Sequence, residues 1–160
     1  MTKSLTVLGI DPGTRRVGYG IITKTGSTFD FITAGLLKVG GVEDSSALLE
    51  IKTGMEALIA KYAPEVIGIE KLFFVKNQKT GIAVAQARGV ILLSAREHDA
   101  RIVELAPNEV KSGIAGYGLA DKSAVAKMVR VTLGKPELRV IDDVSDALAI
   151  AIVASGRVRI

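Results

Sequence analysis

The sequence predicts a mixed α/β fold in which an antiparallel meander precedes parallel strands joined through helices. Three observations predict it. Residues 5–39 hold three strand-like runs separated by turn residues. Beyond residue 45, helical segments with apolar stripes alternate with short apolar runs. The resulting order, β-β-β-α-β-α-β-α-α, suits a five-stranded mixed sheet flanked by helices.

Each element follows from local chemistry. Leu5-Thr6-Val7-Leu8-Gly9-Ile10-Asp11 reads as a buried strand ending on an acid. Pro12-Gly13-Thr14 is a turn, because proline fixes φ and glycine accepts positive φ. Residues 17–23 and 28–39 read as the next two strands, joined at Lys24-Thr25-Gly26-Ser27. Residues 45–62 form a helix with Leu48, Leu49, Ile51, Met55, Leu58, Ile59 and Tyr62 on its apolar stripe, and Pro64 follows its end. Residues 65–70 are a short buried strand that also finishes on an acid, Glu70. Residues 80–98 form a second helix and residues 101–105 a fifth strand. Residues 120–133 and 143–155 complete the helices, the last strongly apolar. Parallel strands joined by helices should cross over right-handed.

Composition narrows the chemistry. The 160 residues suit a single domain over residues 1–160 on a scale of ~150 residues per domain. The chain has no cysteine, which excludes disulfides, thiolate metal sites and cysteine nucleophiles. One histidine, His98, excludes a multi-histidine zinc centre and is expected at the surface. Lys plus Arg is 21 and Asp plus Glu is 17, so the net charge of 21 − 17 = +4 permits a polyanionic partner without demanding one. The apolar run at residues 147–154 is far short of the ~20 residues that span a bilayer. The apolar stretch at residues 5–10 meets Asp11 at once, so no leader is expected and the cytoplasm is the expected setting. Aromatics are only 4% with no tryptophan, which argues against stacking platforms for single strands.

The carboxylates carry the strongest chemical signal. Asp11 and Glu70 each close a strand, while Asp143 and Asp146 sit three apart at a helix start and share a face. That helix continues into an apolar run, so the acidic pair borders the core. Taken singly, Asp11 is also a turn former, Glu70 a solvated strand end, and Asp143 or Asp146 a helix cap or dipole partner. Taken together they suit a hard cation with oxygen ligands, such as Mg²⁺ or Mn²⁺.

Four segments in register then resemble one family. Gly9-Ile10-Asp11-Pro12-Gly13-Thr14-Arg15-Arg16-Val17-Gly18-Tyr19-Gly20 is similar to the opening motif of RuvC, the bacterial Holliday-junction resolvases. Ile69-Glu70-Lys71-Leu72-Phe73 resembles the second motif, and Gln86-Ala87-Arg88-Gly89-Val90 the helix motif. Asp143-Val144-Ser145-Asp146-Ala147-Leu148-Ala149-Ile150-Ala151 resembles the final acidic motif. Ala85 departs from the glycine that many members carry before the helix motif, a matter of packing. The sequence ends soon after Arg157 and Arg159, so a longer basic tail is expected to be missing.

The resemblance implies a ribonuclease-H-like fold and a homodimer that cuts four-way DNA junctions. It implies that Asp11, Glu70, Asp143 and Asp146 are catalytic and hold two Mg²⁺ (or Mn²⁺) ions, with Asp11 central. The D-x-x-D spacing selects Asp143 over the adjacent Asp142. Lys111 and Lys122 match family lysines near the scissile phosphate, and Phe73 the wedge that stacks on bases at the crossover. RuvA and RuvB, a branch-migration pair, are the implied partners. The implied product is a nick with 5′-phosphate and 3′-hydroxyl.

Other features fit around this. Lys71, Lys76, Lys79, Lys111 and Lys122 fall in loops or helix starts near the acidic ends and together suit a basic rim for DNA. Of Phe73 and Phe74, successive in an extended segment, one should be exposed. Gly81, Ala85 and Gly89 make a small-residue row that suits close packing on the sheet or a dimer contact. A two-fold junction favours a two-fold enzyme. Three alternatives remain at this level: a nuclease acting on RNA or RNA/DNA hybrids, a junction-binding module without activity, and an actin-like or sugar-kinase nucleotide-binding lobe suggested by Asp11-Pro12-Gly13-Thr14. The last needs a second lobe and a second phosphate loop.

Overall fold

The computed structural model describes residues 3–41, 43–73 and 78–158, with the backbone alone at residue 79. Its elements are β1 (Ser4–Asp11), β2 (Arg16–Thr25), β3 (Thr28–Lys38), α1 (Asp44–Tyr62), β4 (Val66–Glu70), α2 (Gln78–Glu97), β5 (Arg101–Leu105), α3 (Pro107–Ala115), α4 (Lys122–Thr132) and α5 (Asp142–Gly156). The sheet runs β3-β2-β1-β4-β5. β1, β2 and β3 pair antiparallel, as the meander predicts, while β4 joins β1 and β5 joins β4 in parallel.

The largest departures from the expected helices fall between residues 107 and 132. α3 is a helix where none is predicted. Pro107 occupies its first turn, where a missing N–H is harmless, and the Glu109 carboxylate accepts a 2.7 Å hydrogen bond from the Ala106 amide. α4 starts at Lys122 rather than residue 120, because the Asp121 side chain caps it by accepting from the Ala124 amide at 2.7 Å.

Strand alternation divides the core into two layers. Leu5, Val7 and Val66 face α3, α4 and α5. Leu8, Ile10, Ile67 and Ile69 face α1 and α2, against Ile51, Met55, Ala87, Ile91 and Ala95. Each fully buried Leu or Ile contributes roughly 1.5–3 kcal/mol, so either layer alone outweighs any single polar contact. Ala85 and Gly89 are exposed on α2 while Gly81 is buried, so the small-residue row does not pack on the sheet as one stripe.

Alternation also decides where the strand-end acids go. Ile10 is in register with Ile69, so Asp11 and Glu70 end adjacent parallel strands side by side. Both alternate with residues that face α5, Gly9 on β1 and Gly68 on β4. α5 lies almost directly on this surface. A Cβ added at Gly9 would meet the Ala147 carbonyl oxygen at 2.0 Å, and one at Gly18 the Asp143 carbonyl oxygen at 2.1 Å. Only glycine admits the α5 backbone at that distance, and the seat fixes the helix start above Asp11.

Candidate active site

The four predicted acids arrive at one end of the sheet from three elements. Asp11 closes β1, Glu70 closes β4, and Asp143 and Asp146 lie on the first two turns of α5. Asp11 is mostly buried, and its carboxyl is pushed up to about 7 by that burial first and then by Asp146, Glu70 and Asp143. Burial and Asp146 also raise Glu70, opposed by Lys111. Asp146 is raised by burial, opposed most by Lys122. All four acids therefore share one field, and the field is starved of positive charge.

The donor set is oxygen only, which suits a hard divalent cation. A cation there would offset the burial and the mutual repulsion that hold Asp11 above its ordinary range. Among the described residues, no three acidic or histidine side chains are already gathered as a ligand cage. Basic side chains engage two of the acids instead. Arg16 Nε stands 3.4 Å from Asp143 Oδ2, and Lys122 Nζ stands 4.0 Å from Asp146 Oδ2. Lys122 is closer to Asp142, at 3.4 Å, so the acid passed over by the D-x-x-D spacing holds the lysine.

Two openings flank the acids. A cavity of about 460 Å³ is lined by Glu70, Lys111, Asp121, Lys122 and Asp146 among others. A second, of about 230 Å³, is lined by Asp11, Asp143 and residues 12–16. Lys122 occupies the first position of α4, where the helix dipole disfavours a cation, yet its charge is raised in affinity for protons chiefly by Asp146. That placement serves the acids and not the helix. Lys111 reaches the same field from α3.

Phe73 is 56% exposed, three residues beyond Glu70. Lys76 and Phe74 lie outside the described residues, as does the side chain of Lys79. Lys71 is exposed, and its amide donates to the Leu105 carbonyl at 2.7 Å, extending the β4–β5 pairing past Glu70. Arg88 is a residue whose role sequence reasoning left unassigned. Its Nε donates to the Glu70 carbonyl at 3.1 Å while its guanidinium pairs with Glu104, tying α2 to the ends of β4 and β5. Arg16 is the other. Its signal is alternation, since Arg16 lies two residues before Gly18 and so on the face that meets α5.

Residues 7–154 match the family described as crossover junction endodeoxyribonuclease RuvC. A protein of that description from Caldicellulosiruptor saccharolyticus is 46% identical over 149 residues, covering 92% of this chain and 90% of its own. One from Natranaerobius thermophilus is 38% identical over 157 residues, covering 98% of each. Thermus thermophilus RuvC in complex with Holliday junction substrate matches with a TM-score of 0.87 at 29% identity, over 96% of this chain and 95% of that one. The five-stranded mixed sheet with its flanking helices is thus the ribonuclease-H-like fold expected from the motifs.

Proposed function

Because this chain belongs to the RuvC family of crossover junction endodeoxyribonucleases, we propose that it resolves four-way DNA junctions by paired symmetric nicks, as a single nuclease domain acting in a homodimer. The observation that carries the reading is Asp11, half-buried at the end of β1 in the field of Glu70, Asp143 and Asp146. The enzyme is a metal-dependent nuclease, like its family. We assign Asp11, Glu70, Asp143 and Asp146 as the residues that hold two Mg²⁺ ions, Mn²⁺ being an acceptable substitute. Bound there, the ions supply water activation and charge stabilisation at the leaving 3′-oxygen.

The chain's own groups do the rest. Asp11 has to lose its proton to serve as a ligand, so a metal ion would compete there with a proton held more tightly than usual. Lys111 and Lys122, lining the cavity beside Glu70 and Asp146, offer the strand's phosphates two cations at the acids' edge. Phe73, exposed beyond Glu70, offers a ring to an unstacked base at the crossover. Lys76 is assigned to the same DNA surface from the motif alone. Arg88 steadies the Glu70 backbone from α2. No covalent intermediate is needed, and hydrolysis by water leaves a 5′-phosphate and a 3′-hydroxyl.

A second copy suits the two equivalent strands of a junction, and the exposed Ala85 and Gly89 leave the α2 face open to it. RuvA and RuvB are the proposed partners and the cytoplasm the proposed setting. No described helix is long and apolar enough to cross a membrane. The test compares a four-way DNA junction, a linear duplex and an RNA/DNA hybrid, each with and without Mg²⁺. Symmetric nicks confined to the junction with Mg²⁺ are expected. Equal cutting of the hybrid would favour the ribonuclease alternative. Binding without cutting would leave only a junction-binding module.

A further inference from the structure

We propose that Arg16 is a further phosphate-binding cation, held by Asp143 in the metal-free protein and handed to a DNA phosphate when Asp143 is otherwise engaged. The inference rests on the reading of the acids as the cleavage centre. It adds a cationic wall on the side opposite Lys111 and Lys122.

The geometry points there from three directions. Arg16 opens β2, where pairing with Lys38 of β3 fixes its backbone. Alternation puts both side chains on the α5 side of the sheet, since Gly18 on the same face packs against Asp143. Two cations directly opposite one another repel, and neither is buried. Such a pair at a strand end suits a polyanion better than it suits the sheet.

The Arg16 side chain is 62% exposed and lines the smaller cavity together with Asp11 and Asp143. Among the described residues its ion pair is to Asp143, at 3.4 Å. The neighbouring Arg15 is engaged elsewhere, with the Gly41 carbonyl and with Asp44, so it does not share this role. The larger cavity shows the same arrangement from the other side, with Lys122 against Asp142 and Asp146. The acids thus stand between two cationic walls. A strand laid across them would meet a cation before the scissile phosphate and another after it. A planar guanidinium binds phosphate through two parallel N–H donors, the geometry it also offers a carboxylate. Exchange between the two partners therefore needs only side-chain rotation.

The test is a double-mutant cycle on junction binding without metal, where no cleavage occurs. Asp143→Asn releases the guanidinium and is expected to tighten binding several-fold. Arg16→Met added to it should remove that gain and lower the salt slope by ~1, one phosphate contact. Arg16→Lys should keep the slope, which separates loss of charge from loss of structure. If Asp143→Asn tightens binding equally in the Arg16→Met background, the gain comes only from removing a carboxylate, and the proposal is overturned. No tightening at all overturns it too. Failure of the cleavage reading looks different: the parent protein would bind the junction without nicking it in Mg²⁺, and the cycle would still report on the junction's phosphates.

Discussion

The two faces of the sheet are packed by opposite strategies. On the α1 and α2 face, large side chains such as Leu8, Ile10, Ile21, Ile51, Met55 and Ile91 interlock. On the α5 face, glycines let helix backbone rest on strand backbone, as at Gly9 and Gly18. The first strategy spreads stability over many contacts and tolerates local relaxation. The second fixes one helix against one strand with nothing between them to relax. The acids lie on the second face, so position is secured where chemistry is done and bulk stability is gathered where it is not.

Substitutions on the two faces should therefore have different signatures. Gly18→Ala drives a Cβ into the Asp143 carbonyl and displaces the start of α5. A shift of ~1 Å at the acids is expected to lower the nicking rate by ~100-fold. Met55→Ala, on the other face, should cost about 2–5 kcal/mol in chemical denaturation yet leave the rate unchanged wherever the protein is folded. Equal rate losses in the two variants would erase the contrast.

Asp11 sharpens it next. Its folded carboxyl titrates at about 7 against an ordinary 3.8, so the proton is held more tightly in the folded state. Through this group the metal-free protein should lose stability as pH rises from 3.8 to about 7, and Glu70 and Asp146, also raised, add to the loss. Asp11→Asn should reduce that decline and gain on the order of 2–4 kcal/mol above the window, while abolishing cleavage. Urea denaturation across pH in a chelator checks it, and a parallel decline in Asp11→Asn would assign the effect elsewhere. A smaller effect comes from Lys122, beside Asp142 and Asp146. Lys122→Ala should slow nicking and lower the salt slope of junction binding by ~1. Smallest is Lys52→Ala, which removes an exposed bridge from α1 to Glu97 on α2. Neither melting temperature nor nicking should change measurably.

Much of this was legible in the residues, and the illegible parts share a cause. Strands ending on Asp11 and Glu70 declare themselves by an apolar run stopped by a charge. The long helices declare themselves by stripe and cap. α3 did not, because nine residues with Gly113 inside give only Val110 and Ile114 as core positions, too few for a period. The site followed the same rule. Residue type named the acids, but the pairing of Arg16 with Asp143 and of Lys122 with Asp142 depends on register and on how α5 is seated. Those are properties of elements far apart in the chain, and no local pattern contains them. Arg16 in particular reads as one of two adjacent turn arginines until Gly18 shows which face it shares.

The seat of α5 has a consequence for synthesis. α5 follows every other described element, and it brings Asp143 and Asp146 with it. A ribosome-bound chain that has made β1 and β4 carries Asp11 and Glu70, with half of the proposed ligands still to come. On that assignment cutting power would arise in one late event, when the final helix drops onto its glycine bed.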